Sequence, residues 1–441
     1  MIYASLLGVL VIHGWLFAKR GLLDPVSVFF LAFLYYSYFA PISMLVYNIY
    51  GLDVAGQLSF VTLETINRAA VVFFLGYASY ALVYYHISKR DALADYRLRN
   101  ESITLLLSDN YARVLLVFVI AVIGLLSTYF RAELLNATES YEGKISGNYT
   151  ESGYAFVMNT AFTLLSLVFN YLILNVKRHN ITALVGIGVF LILSLATFSK
   201  VPLIYAALCV FCALHRYRRI PFSLMMALLI VGSILTTLIF MPAFSIYRGS
   251  GEFALSLPSL DSFSLVLGEA ASPFTIVHLA LNGYVSVQGH PLWQSFVLWI
   301  PRAIWPDRPI DLAESFAREV IANWQVGFGL GFSPFAEGYA RLGLIGGSLF
   351  MGMIGGVTAL MQSLFSRAVP EAMRAPAILT IGGFVSVLVL RGPFSGLITQ
   401  SLQNWAPVIV ISLIASELAR RMGSNISAAT PVGRAQDVEM P

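Results

Sequence analysis

The sequence predicts an all-α, polytopic membrane protein, and three observations carry that reading. Hydrophobic residues make up 58% of the chain and charged residues only 11%, whereas a soluble domain is about a quarter charged; the mean hydropathy is +0.77. Apolar runs of about 20 residues recur along it, the length that crosses a hydrocarbon core of about 30 Å at about 1.5 Å per residue. Basic residues gather in alternate connections between those runs.

Taken in order, the first run is Ile2 to Ala18. Its positive flank, Lys19 and Arg20, follows it instead of preceding it, so it is a retained span and not a cleavable signal. Pro25 to Asn48, Asn67 to Ile87, Tyr111 to Phe130 and Ala155 to Val176 come next, then Ile181 to Phe198, Val201 to His215 and Pro221 to Phe244. Pro334 to Leu364, Pro376 to Leu390 and Ser395 to Ala415 complete about eleven spans. One alternating set of connections holds Lys19, Arg20, Lys89, Arg90, Arg97, Arg99, Lys177, Arg178, Arg216, Arg218, Arg219, Arg367, Arg374, Arg420 and Arg421. The other set is poor: none between Gly51 and Glu64, and only Arg131 and Lys144 between Phe130 and Ala155. The rich set is therefore expected in the cytoplasm, with the N-terminus outside and the C-terminus inside. Residues 1–418 are expected to form a single transmembrane domain, and 419–441 a cytoplasmic tail, polar and disordered from Met422.

The net charge of +4 is explained by this loop bias and points to no nucleic-acid partner. Cys209 and Cys212 form a C-x-x-C inside an apolar span with no other Cys or His at ligand spacing, which favours packing over metal or redox chemistry. The sequons at Asn136 and Asn148 are short patterns that arise by chance. No internal repeat of the kind seen in many transporters is evident. Residues 245–333 form a long extracytoplasmic loop, and loops of that length are usually functional or disordered; its aromatic content argues against disorder. Within it, Phe263 to Tyr284 carries Glu269, Pro273, His278 and Asn282, each costly in mid-bilayer. Counting it as a span would also turn Arg367, Arg374 and Arg420-Arg421 outward, so it is expected as helical segments lying on or re-entering the outer face. Pro291 to Trp305 is too short to span and suits a short interfacial helix ended by a proline-braced turn, with Trp293, Trp299 and Trp305 at headgroup level.

Against the loop bias, the outer half still carries Lys200, Arg248, Arg302, Arg308, Arg318, Arg341 and Arg391. Arg302 and Arg308 flank "AIWPD", where Pro306 and Pro309 stiffen the backbone. Guanidinium forks match phosphate oxygens bidentately and keep their charge, so a pyrophosphate at the outer headgroup level is a natural ligand. The plainer reading pairs these arginines with Asp307, Asp311, Glu314, Glu319 or lipid phosphates. Ser333-Pro334 is a helix start, with serine as cap and proline at the first position. Glu337 and Arg341 follow at i and i+4: either an ordinary pair worth about 0.2 to 0.5 kcal/mol, or a functional pair, with Glu337 the best carboxylate for base chemistry. His278 and His290 are alternative bases or sugar contacts, or simply interfacial polarity. The glycines of "GFGLGF", Gly327 to Phe332, follow no phosphate-loop pattern and suit a tight approach or a hinge.

"WIPRAIWPDRP", Trp299 to Pro309, followed by "GFSPFAEGYARLGLIGG", Gly331 to Gly347, resembles the outer-loop signature of the bacterial oligosaccharide repeat-unit polymerases, the O-antigen polymerase (Wzy) family. The matching positions are Pro301, Arg302, Trp305, Pro306, Pro309, Pro334, Glu337, Tyr339 and Gly343; Arg308 stands where the family more often has lysine. The "TFSK" end of a span at Lys200 is also similar. The motif match covers about forty residues, and the remaining likeness is of architecture.

The resemblance implies an integral-membrane glycosyltransferase, GT-C superfamily-like, in the bacterial inner membrane. It implies action on undecaprenyl-pyrophosphate-linked oligosaccharides at the periplasmic face, so that residues 245–333 are a periplasmic loop, with a chain-length regulator of the co-polymerase (Wzz) type as partner. Such an enzyme moves a growing glycan from one lipid pyrophosphate to the non-reducing end of the next lipid-linked repeat unit. The expected catalytic residues are Glu337, Arg302 and Arg341. Arg248, Arg308, Lys200, Arg391, His278, His290, Tyr339 and Trp305 are expected to bind pyrophosphate and glycan. No D-x-D pair occurs in the outer loop, so metal independence and no cofactor are expected. Two rivals stand beside this reading. An O-antigen ligase shares the donor and differs in acceptor. A lipid-linked oligosaccharide flippase would need charges along an aqueous path on both sides of the midplane, where this sequence has few.

Overall fold

The computed structural model describes residues 1–20, 24–39, 41–42, 62–88, 109–121, 154–174, 260–300, 304–320 and 332–429. Among them the regular structure is entirely helical. The helices are α1 (Ile2–Arg20), α2 (Pro25–Leu34), α3 (Leu63–Ile87), α4 (109–121), α5 (Tyr154–Leu174), α6 (Leu260–Leu281), α7 (Leu312–Val320), α8 (Pro334–Ala368), α9 (Arg374–Arg391), α10 (Phe394–Gln400) and α11 (Ala406–Ala429). Three stretches are long and apolar enough to cross a membrane: Ile2–Lys19, Leu63–Ile87 and Pro334–Ala368. Pro25–Phe39, Thr163–Leu172 and Ala271–Leu281 are shorter apolar helical stretches.

Local chemistry sets several helix starts. The Asp24 carboxylate accepts from the Val26 amide at 3.0 Å ahead of Pro25, which needs no amide partner there. Thr62 and Thr65 exchange bonds at the start of α3, Thr65 N to Thr62 Oγ1 at 3.3 Å and Thr62 N to Thr65 Oγ1 at 3.1 Å. Ser333 Oγ accepts from Phe335 N at 3.2 Å ahead of α8.

Packing partners fix the helix directions. Ile2 N meets Asn67 Oδ1, His13 meets Tyr77 and Trp15 meets Tyr85, so α1 runs parallel to α3. Along α8, Met351 packs at Gly76, Gly355 at Tyr80 and Gln362 at Tyr84, so this part of α8 also runs with α3. In α11 and the π-turn before it, Trp405 meets Phe365 and Ser416 bonds to the Ala368 carbonyl. One end of the bundle therefore gathers the starts of α1 and α3; the other gathers Lys19, Arg367, Arg374, Arg420 and Arg421.

The contact between α8 and α3 is made of missing side chains. A Cβ on Gly352 would sit 3.2 Å from Val83 and one on Gly356 3.1 Å from Ile87, while one on Gly355 would strike the Tyr80 carbonyl oxygen. Small residues in this spacing let two apolar helices approach backbone to backbone, the usual means of helix association where lipid removes the hydrophobic drive. Buried polar groups find partners across helices: His13 Nδ1 with Tyr77 Oη at 3.0 Å and Asn170 Nδ2 with Thr380 Oγ1 at 2.8 Å.

Several expectations change. Pro334 to Leu364 is not one straight span: at Gly343 the backbone takes φ 68°, ψ −168°, a left-handed φ that glycine adopts without penalty. The chain doubles back there. Phe335 and Met351 both meet Gly76, and a Cβ on Gly347 would lie 2.9 Å from the Gly338 backbone, so residues 334–342 lie antiparallel to the arm that follows. Phe263 to Tyr284 is not a set of segments but one helix, α6, that passes through Pro273 and packs against α3 and α8. In Pro25 to Asn48 the described α-helix gives way at Tyr35–Phe39 to a π-turn, and α11 carries helix to Ala429, into the stretch expected to be a disordered tail. The spans expected at Ile181 to Phe198, Val201 to His215 and Pro221 to Phe244 lie outside the described residues. So do Cys209, Cys212, Asn136, Asn148, Lys200, Arg248, Arg302 and Gly327 to Gly331.

Candidate functional site

Ser333 and Pro334 start the short arm of α8, and the 3.6-residue repeat then sets Glu337 and Arg341 on one side of it. Glu337 is 1% exposed. Its Oε1 accepts from Arg341 Nε at 2.9 Å and its Oε2 from the Phe394 amide, at the start of α10, at 2.8 Å. The Arg341 side chain is 9% exposed. Its Nη1 donates to the His290 carbonyl at 2.5 Å. Nη2 has no partner among the described residues. An arginine gripped at Nε and Nη1 keeps its plane, and the remaining nitrogen presents two fixed donors to an incoming oxygen.

A second acid stands beside the first. Asp311 stands just before the Leu312 and Ala313 amides at the start of α7 and accepts from Ser395 Oγ at 2.6 Å. Burial pushes the Asp311 carboxyl above the usual range, while the Ser395 hydroxyl and the two amides pull the other way.

The site has a level in the bundle. Val72, Leu344 and Gly347 share a crevice with Tyr339, and Gly76 meets Phe335. The short arm thus climbs from the middle of α3 towards its starting end, bringing Arg341 nearer that end than Glu337.

The other expected site residues are dispersed. Arg308 Nη1 donates to the carbonyls of Leu298 and Ile300 at 2.5 and 2.8 Å, bracing the turn that Pro306 and Pro309 stiffen. Arg391, half-buried at the end of α9, stands 5.6 Å over the Tyr36 ring. His278 is buried in the last turn of α6, where Asn282 Nδ2 approaches its Nε2 at 3.3 Å and bonds to its carbonyl. His290 joins Arg341 through its carbonyl, and its Nδ1 is buried with no hydrogen-bond partner among the described residues. Tyr339 lines the crevice towards α3, and Trp305 is half-buried in its turn.

Three participants escaped the sequence reading: Ser395, the Phe394 amide and Arg68. Arg68 Nη2 bonds to the Leu281 carbonyl at the end of α6, at 3.3 Å. The helix-start pattern of Pro393 ahead of Phe394 was the available signal for the first two. Compared with known protein families, curated proteins and solved structures, the chain matches none of them.

Proposed function

We propose that the chain is an integral-membrane glycosyltransferase that polymerises lipid-linked oligosaccharide repeat units, GT-C-like, with about eleven spans in a bacterial inner membrane. The observation that carries the reading is Arg341, gripped on two sides by Glu337 and His290, with no partner for Nη2 among the described residues. In the reaction, the bond from the donor sugar's anomeric carbon to the phosphate oxygen breaks, and the lipid pyrophosphate leaves with the electron pair. The acceptor hydroxyl of the next repeat unit forms the new bond and gives up its proton. Charge grows on the leaving phosphate as the sugar gains oxocarbenium character, so a guanidinium fixed in advance lowers the barrier without reorganising.

Both oxygens of Glu337 are engaged, which makes it the holder of Arg341 instead of the proton acceptor. His290, whose backbone carbonyl accepts from Arg341, takes that role through its ring in this proposal. Arg302, at a position that matches the family motif, and Arg248 and Lys200, basic residues expected in the outer half of the chain, keep phosphate-binding roles in this proposal, and the end of the bundle opposite Arg367 and Arg420 faces out of the cytoplasm. A co-polymerase regulator and metal-independent chemistry complete the proposal.

Purified protein given lipid-linked repeat units in EDTA should yield a ladder of longer glycans. A single unextended band under those conditions and with added magnesium or manganese rejects the polymerase. A ladder that forms only with the metal rejects the metal-independent chemistry.

A further inference from the structure

We propose that Asp311 and Ser395 are positioning residues that hold the Arg341 fork in line, an inference that rests on the transferase reading for its catalytic meaning but not for its geometry. Four hydrogen bonds connect the groups in sequence. Ser395 Oγ donates to Asp311 Oδ1 at 2.6 Å; its neighbour Phe394 donates its amide to Glu337 Oε2 at 2.8 Å; Arg341 Nε donates to Glu337 Oε1 at 2.9 Å; and Arg341 Nη1 donates to the His290 carbonyl at 2.5 Å. These bonds join α7, α10, the short arm of α8 and the loop after α6, elements that nothing local in the sequence holds together.

A plainer reading makes Asp311 only the cap of α7. A cap needs only the amides of its own helix and gives no reason for the hydroxyl that Asp311 accepts from, 84 residues away. The two acids are bonded to consecutive residues, Glu337 to the Phe394 amide and Asp311 to the Ser395 hydroxyl, so α10 couples the position of one to that of the other. The Ser395 hydroxyl fixes the start of α10, the Phe394 amide fixes Glu337, and Glu337 fixes the plane of Arg341.

The test uses full-length protein in lipid nanodiscs and follows the rate at which phenylglyoxal modifies Arg341, read by peptide mass spectrometry against exposed Arg420 in the same sample. Ser395→Ala, which removes one oxygen, and Asp311→Ala should each raise the Arg341 rate by about tenfold. Ser395→Thr and Asp311→Asn, which keep a donor and an acceptor, should stay within about twofold of the parent. Should Asp311→Ala fail to fold by gel filtration, Ser395→Ala decides. An unchanged Arg341 rate in folded Ser395→Ala overturns the proposal. In the polymerisation assay, Ser395→Ala should lower kcat by about tenfold and change donor KM by less than about threefold; loss confined to KM would make the residue a ground-state contact and also overturn it. A wild-type protein that makes no ladder rejects the transferase reading alone, because the labelling result stands without it.

Discussion

The two arms of α8 are held in place by opposite means. Beyond Gly343, Gly352, Gly355 and Gly356 let α8 lie against α3 with almost no side chain between them. Before Gly343, Glu337 and Arg341 reach out to α10 and to His290 through charge-assisted bonds. The first contact needs no direction and tolerates no added atom; the second is directional and survives only if every donor finds its acceptor. Close-packed glycines supply a rigid wall, and the polar arm uses that wall to fix the angle of one guanidinium.

Removing the polar arm's outermost group should have the largest effect. Arg341→Ala removes one partner of a desolvated charge pair, a loss of about 2 to 5 kcal/mol, so polymer formation should fall by roughly 30-fold to several thousand-fold at matched membrane protein level. Normal polymer from this variant would place the chemistry elsewhere. On the wall, Gly355→Ala drives a methyl into the Tyr80 carbonyl and should cost about 1 to 3 kcal/mol of stability, read as a lower midpoint in thermal unfolding. Gly14→Ala in α1 has nothing within 4 Å of the added Cβ and should leave the midpoint close to that of the parent. Equal effects from the two substitutions would show that the glycine wall is not the special contact.

The smallest expected effect concerns pH. Burial raises the Asp311 carboxyl above its unfolded value, so the folded protein holds that proton more tightly. Its contribution to stability is then fully present below the ordinary carboxylate range and is lost as pH rises through the folded value. Thermal unfolding of Asp311→Asn across that window should lack the parent's decline; a steeper decline would mean that Asp311 is stabilised as the anion.

Sequence made some of this legible and hid the rest for physical reasons. Ile2–Lys19, Leu63–Ile87 and Pro334–Ala368 were visible because a long apolar run needs no partner to be recognised. Glu337 and Arg341 were visible because i and i+4 is a local spacing. The bonds from Phe394 and Ser395 join residues 57 and 84 positions apart, and no periodicity encodes such pairings. Gly343 was hidden for another reason: in "RLGLIGGSLF" a glycine that reverses the chain and one that packs on a neighbour look alike. His278 lies in the last turn of α6, and its contact with Asn282 at i+4 is a local spacing of the same kind as that of Glu337 and Arg341.

The reversal at Gly343 also bears on how the chain is inserted during synthesis. The 35 residues of α8 leave the ribosome as one stretch, yet the first arm turns back on the second at Gly343. On translocon-insertion scales a charged side chain at a helix centre costs about 2.5 to 3.5 kcal/mol. Because Glu337 and Arg341 lie four residues apart on one helix, they can pair as soon as that turn forms, before α10 has been made. The partners supplied by Phe394 and Ser395 lie later in the chain, so they are made after the residues of the Glu337–Arg341 pair.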